Sequence, residues 1–112
     1  MRIYNKGEIP PTTYKSLKNL ITDFKPWFNQ ISNRICVPIT QIRVIGTSQF
    51  ELVFAMLDFN AYQKRLESDI PLNKISSFIE QELDELSEHT IKMVKFYSPN
   101  INQFIVTCNI TI

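Results

Sequence analysis

Glycine is nearly absent from this chain: two in 112 residues, Gly7 and Gly46. A phosphate-cradling loop needs several glycines close together, so the sequence offers no nucleotide site of that kind. Histidine is scarcer still, with His89 alone, and the cysteines are two, Cys36 and Cys108. These three residues cannot supply the four nitrogen and sulfur ligands of a structural zinc site. The cysteines lie far apart without a C-x-x-C spacing, so they read as free, packed thiols rather than as a disulfide framework. No apolar run approaches the roughly 18 residues of a membrane span. Residues 1–8 contain no apolar segment of the kind a secretory signal needs, which predicts a cytoplasmic setting. An excess of one charge is missing too. Lys and Arg number 12 against 11 Asp and Glu, for a net charge of +1, and that balance disfavours a strongly basic nucleic-acid module.

Alanine occurs twice, against sixteen Ile, nine Asn and eight Lys. Such a bias accompanies AT-rich coding DNA, including that of many phages and mobile elements. It suits a small structural or accessory protein of such an element, which would then be virion-associated.

What is present describes one globular domain over residues 1–112. Hydrophobic residues make up 44% of the chain, aromatic residues 12% and charged residues 21%, too apolar and too neutral for disorder. A chain of this size buries roughly 65% of its unfolded surface, enough for a core without staples.

Residues 1–11 read as an extended arm or short edge strand, ended by Pro10-Pro11. Thr12 or Thr13 offers a hydroxyl cap to a helix. Tyr14, Leu17, Leu20, Ile21, Phe24, Phe28 and Ile31 then share one helical arc with Trp27. Pro26 falls inside that pattern, and the expectation is a break, with a second short helix starting there. Residues 40–45 and 49–57 form two strands joined by Gly46-Thr47-Ser48. Asn60 and Gln63 resemble a capping pair for a short helical turn over 61–68. A clearer helix follows Asp69-Ile70-Pro71, with Leu72, Ile75, Ile79, Leu83 and Leu86 on one face. Strands over 90–97 and 103–112 complete the chain. In the last, Phe104, Val106, Cys108, Ile110 and Ile112 alternate with Thr107, Asn109 and Thr111. The fold class is therefore α+β in two layers, ordered α-β-β-α-β-β. Two hairpins make a four-stranded antiparallel sheet, and two main helices cover one face. The order suggests a doubled α-β-β unit, although the halves share too little sequence to assert a repeat.

A sheet with one wet face alternates apolar and polar residues, and two of these strands do not. In the second, Phe50, Leu52, Phe54 and Met56 oppose Val53, Ala55 and Leu57. In the third, Ile91, Met93 and Tyr97 oppose Val94 and Phe96. Helices cover one side, so the other would carry five or six apolar side chains. Leaving each wet forfeits roughly 1.5–3 kcal/mol. Either the arm or the 58–68 segment folds over that face, or a partner does. The second alternative makes Val53, Ala55, Leu57 and Ile105 a protein-interaction surface, and predicts that Val53→Glu weakens self-association while leaving the fold largely intact.

Charge is divided along the chain. Lys15, Lys18 and Lys25 share the outward face of the first helix, and Arg34 lies near its end. Glu80, Asp84, Glu85 and Glu88 occupy the outward face of the later helix, crowding the end where the helix dipole prefers cations. The bland reading is a solvated polar face. The functional reading is an acidic surface offered to a basic partner or to the lysine face of another copy, in head-to-tail contacts.

Chemical motifs are few. His89, within Ser87-Glu88-His89-Thr90, reads as a helix-terminal histidine rather than a general base. Glu80, Asp84 and Glu88 would need further oxygen ligands to hold a cation. No catalytic residue, metal or cofactor is expected, and the chain reads as a non-enzymatic protein–protein interaction or assembly domain, forming a homo-oligomer. The alternative is a nucleic-acid-binding module in which Lys15, Lys18, Lys25 and Arg34 track phosphates while Trp27 or Phe28 stacks on bases. A membrane role is not expected, because the apolar arcs are needed for the core.

Overall fold

The computed structural model describes residues 2–5 and 11–111, with side chains from Leu17 onward. Strand β1 (Arg2–Asn5) leads into helix α1 (Pro11–Ile35), and β2 (Ile39–Val44) and β3 (Gln49–Ala55) follow as a hairpin. A short helix α2 (Phe59–Leu66), a single 3-10 turn over Leu72–Lys74 and helix α3 (Ile75–Leu86) precede β4 (Ile91–Asn100) and β5 (Gln103–Ile110). The sheet order is β1-β2-β3-β5-β4. Its four main strands pair antiparallel, while β1 runs parallel to β2 at the edge. The expected α+β class and α-β-β-α-β-β order are therefore present, with a four-residue edge strand drawn from the arm. The rest of the arm, Met1 and residues 6–10, lies outside the described residues, as does Ile112.

In the sheet, the second strand of each hairpin is central and the first is outer. A two-fold relation between the units α1-β2-β3 and α3-β4-β5 would generate this arrangement. The core lies between the helices and one face of the sheet. Leu17, Ile21, Phe28, Ile31 and Ile35 of α1 and Ile75, Ile79 and Leu83 of α3 meet Ile42, Val44, Phe50, Leu52, Phe54, Phe104, Val106 and Cys108. Both cysteines are free. Burial pushes the Cys108 thiol well above its ordinary pKa, so it packs as an inert hydrophobe.

Helix α1 runs unbroken through Pro26, contrary to the expected break. An interior proline costs about 3 kcal/mol. Two fully buried side chains before it and three after it each contribute roughly 1.5–3 kcal/mol only if the helix holds one direction. Packing outweighs the local penalty. The helix also begins earlier than expected. Pro11 is its first residue, a position where the missing N–H is not needed, so Thr12 and Thr13 lie within the first turn rather than at the cap. At α2 the cap is Asp58, whose Oδ1 accepts from Ala61 N at 2.8 Å, in place of the expected Asn60–Gln63 pair.

The scarcity of glycine shows where the helices end. Cys36 sits in the left-handed region at φ 56° just past α1, and Val37 N–H reaches back to Ser32 O at 3.2 Å. Past α3, Glu88 takes the same role at φ 54°, with His89 N–H donating to Asp84 O at 2.7 Å and Glu88 N–H to Glu85 O at 3.1 Å. Both are Schellman closures made without the glycine that normally relieves the left-handed residue.

A candidate interaction surface at the end of the sheet

The registers show what the uncovered face of the sheet carries. Gln41, Val53, Ile105 and Tyr97 form one row across β2, β3, β5 and β4. Arg43, Glu51, Thr107 and Lys95 form the next. Strand β4 differs from its sequence reading because its register shifts between Met93 and Lys95. That irregularity at Val94 resets the alternation. Met93 and Phe96 pack against the core, while Lys95 and Tyr97 join the rear face. One of the two strands thought apolar on both sides therefore presents polar groups there.

Among the described residues Val53, Ala55 and Ile105 remain as the apolar centre of the rear face, and they are buried within the single chain. Val53 is 1% exposed and Ile105 is 5% exposed, with Ala55 buried beside them. Longer side chains frame them. Arg43 Nε donates to Gln41 Oε1 at 2.9 Å and its guanidinium lies 3.7 Å from the buried Glu51 carboxylate. Lys95 Nζ sits 4.6 Å from the centre of the Tyr97 ring. The 58–68 segment does not lie over this face, since Ala61 and Tyr62 pack against the helix-side core. The expected wet patch of Val53, Ala55 and Ile105 is thus corrected to a buried one; the arm, the other cover the sequence suggests, has residues 6–10 outside the described ones.

Leu57 is different, at 77% exposed. It follows β3 at the end of the sheet, where Met56 N–H donates to Asn102 O at 2.8 Å and joins this segment to the β4–β5 turn. Ile101, in that turn, is 81% exposed. Phe59, the first residue of α2, is 73% exposed, and Leu66, its last, is 82% exposed. Positions 59 and 66 are seven apart, so they share one azimuth of the helix about 10 Å apart along its axis. Ala61, Tyr62 and Arg65 of α2 are turned inward or bonded to the sheet end. Arg65 is buried and donates to Ile70 O, while the Tyr62 hydroxyl is bonded to Asn102 Oδ1. Leu57, Phe59, Leu66 and Ile101 thus gather large exposed apolar side chains at one end of the molecule.

The sequence reading singled out Leu57 alone of these. A signal for the others existed: α2 carries Phe59, Tyr62 and Leu66 on one side and Ala61 on the other, more apolar surface than a one-sided short helix needs.

The acidic residues are placed less simply than the helical wheel implied. Glu80 and Glu85 are exposed on α3, and Glu85 Oε1 accepts from Gln81 at 3.0 Å. Glu88 lies beyond the helix, in its closing turn. Asp84 is committed internally, paired with Lys92 through Oδ1 and 3.0 Å from His89 Nδ1 through Oδ2. Hydrogen bonds from Lys92 first, then His89, hold its carboxyl below the ordinary range. The single histidine therefore serves the turn after α3.

The basic residues are dispersed as well. Lys18 is exposed and Lys25 half-buried, while the Lys15 side chain precedes the described ones. Arg34 lies 3.8 Å from Asp69 and 5.3 Å from the centre of the Phe78 ring. Phe28 is buried, and Trp27 stacks on Phe24 at 4.7 Å between ring centres. Neither ring is a free platform for bases.

A hollow of about 270 Å³ beside Cys36 is lined by Ser32, Asn33, Val37, Pro38, Ala61 and Lys64. It brings no histidine or carboxylate to the thiol, whose hydrogen is directed at Asn33 O, 3.4 Å away. Among the described residues no group of three or more His, Cys, Asp or Glu could hold a metal ion, and no helix is long and apolar enough to cross a membrane. Comparison with protein-family models, with curated proteins and with solved structures finds no match.

Proposed function

We propose that this chain is a non-enzymatic protein-association domain whose contact surface is the end of the sheet, formed by Leu57, Phe59, Leu66 and Ile101. The observation that carries this reading is the exposure of those four side chains, each above 70%, at one end of the fold. A single exposed leucine needs no explanation, but several gathered together usually mark a site of association. The catalytic alternative has little behind it: the hollow that places Ser77 with Glu80, Asp84 and Lys92 has Asp84 and Lys92 paired with each other, and no hydrogen bond joins Ser77 to a base among the described residues. The nucleic-acid alternative is weakened by the engagement of Arg34 and the packing of Trp27. In this reading Glu80 and Glu85 form a solvated face that tunes selectivity, while affinity comes from the sheet end.

The edges of the sheet are poorer candidates. Strand β4 is long, but it carries Lys92, Lys95, Pro99 and two register shifts, devices that discourage strand addition. The test is a photo-crosslinking side chain placed at Ile101 in the cells that express the protein. A discrete adduct is expected from that position and not from Lys18 on the helical layer. Equal, diffuse labelling from both positions would overturn the reading.

A further inference from the structure

We propose that the partner at the sheet end is a segment of another protein that carries apolar side chains bracketed by lysine or arginine, the two cations set to meet Asp58 and Glu67. This rests on the association reading above and adds the chemistry of the occupant. The order of residues along α2 sets the charge pattern. Asp58 stands immediately before Phe59, and Glu67 immediately after Leu66. Each large apolar side chain of the helix surface thus has an acid on its outer side, and all four residues are exposed.

Neither charge is required by the fold. Among the described residues neither acid forms an ion pair. Asp58 caps the helix by accepting from Ala61 N–H, a bond that asparagine makes equally well. Glu67 is the C-cap of α2, the end at which the helix dipole favours a cation. The basic side chains nearby are not set to neutralise them. Lys64 stands about 140° around the helix from Phe59 and lines the hollow beside Cys36. Arg65 is buried, and Arg34 lies 3.8 Å from Asp69.

An apolar centre with acids at both ends selects a partner that carries cations at both ends. The same acids reject other occupants. Two copies of α2 paired antiparallel would set Asp58 of each against Glu67 of the other, like charge on like. An anionic lipid surface would be repelled in the same way. Dimensions narrow the partner further. Asp58 and Glu67 are nine residues apart, roughly 13 Å along the helix axis. Cations that meet both are therefore separated by about nine residues of helix or four of extended chain, with the apolar side chains between them. Leu57 and Ile101 lengthen the apolar contact beyond Phe59.

The experiment selects binders to the immobilised full chain from a random peptide library displayed on yeast, with the Leu66→Ala chain as counter-selection. The expected peptides hold aliphatic or aromatic residues between two Lys or Arg at one of those spacings. A synthetic copy of the leading sequence is expected to bind more weakly at high salt. Leu66→Ala should weaken it about tenfold or more. Asp58→Asn combined with Glu67→Gln should weaken it roughly fivefold at low salt and remove most of the salt dependence, with thermal unfolding unchanged. Peptides that need Leu66 but carry acids, or no charge, beside their apolar residues would overturn the basic partner and leave the association reading standing. So would a leading peptide whose affinity ignores Asp58→Asn with Glu67→Gln. No enrichment over the Leu66→Ala chain would overturn the proposal too, and diffuse labelling from Ile101 would take the association reading with it.

Discussion

Val53 and Leu57 lie four residues apart in one strand and the segment that continues it, and both are aliphatic, yet one is sealed and the other is wet. Val53 sits in the middle of a row of four strands, between Gln41 and Ile105, with Tyr97 beyond. Leu57 has left the sheet, so it has no cross-strand neighbour to lean on. The contrast extends to Ile105, inside the sheet, and Ile101, in the turn that precedes its strand. A strand interior shields its side chains laterally, because directly opposed side chains stand only about 4.5–5.5 Å apart at Cβ. At the end of the sheet that shielding stops. Alternation tells which face a residue is on; it does not tell whether water reaches it.

A carboxylate placed in each region separates them most strongly. Val53→Glu would bury a second carboxylate on the rear face, two residues from the buried Glu51. An uncompensated buried charge costs about 3–5 kcal/mol. Leu57→Glu meets solvent and should change stability by less than about 0.5 kcal/mol, while abolishing association. Urea unfolding of both variants checks the pair. This reverses the expectation from sequence alone, in which Val53→Glu spared the fold. Similar midpoints for the two variants would mean that the rear face is open after all.

A smaller effect is expected at the close of α3, which touches neither region. Glu88 holds a left-handed conformation at the close of α3, which costs a residue with a Cβ about 1–2 kcal/mol. Glu88→Gly should therefore raise stability by about 1 kcal/mol, offset in part by the greater freedom of glycine in the unfolded chain. Calorimetry would register the gain, and the association midpoint should stay where it is. A shift in that midpoint would place the contact on the acidic helix instead of the sheet end.

Much of the fold was legible in the sequence. The β2–β3 hairpin was marked by Gly46-Thr47-Ser48 between two apolar runs, and α3 by Ile75, Ile79 and Leu83 at helical spacing after Pro71. Three features were hidden for physical reasons. Pro26 argues locally for a break, and only the burial of Phe28, Ile31 and Ile35 beyond it decides otherwise. The irregularity at Val94 inserts one residue and exchanges the faces of Phe96 and Tyr97, which a strict period of two cannot register. The helix ends lack their usual glycine, so the turns at Cys36 and Glu88 carry no recognisable stop signal. The same limits bear on the site. Leu57 was identified, but for a face that it does not share with Val53, and Phe59, Leu66 and Ile101 were passed over because short elements and turns carry little periodicity.

The rear of the sheet is closed and its end is open. Paramagnetic broadening of methyl resonances by a neutral nitroxide in solution reads that difference directly. In a dilute sample the methyls of Leu57, Leu66 and Ile101 should broaden strongly while those of Val53 and Ile105 stay sharp, and on association the first group should become protected. Strong broadening of Val53 and Ile105 in the dilute sample, with Leu57, Leu66 and Ile101 spared, would contradict the account.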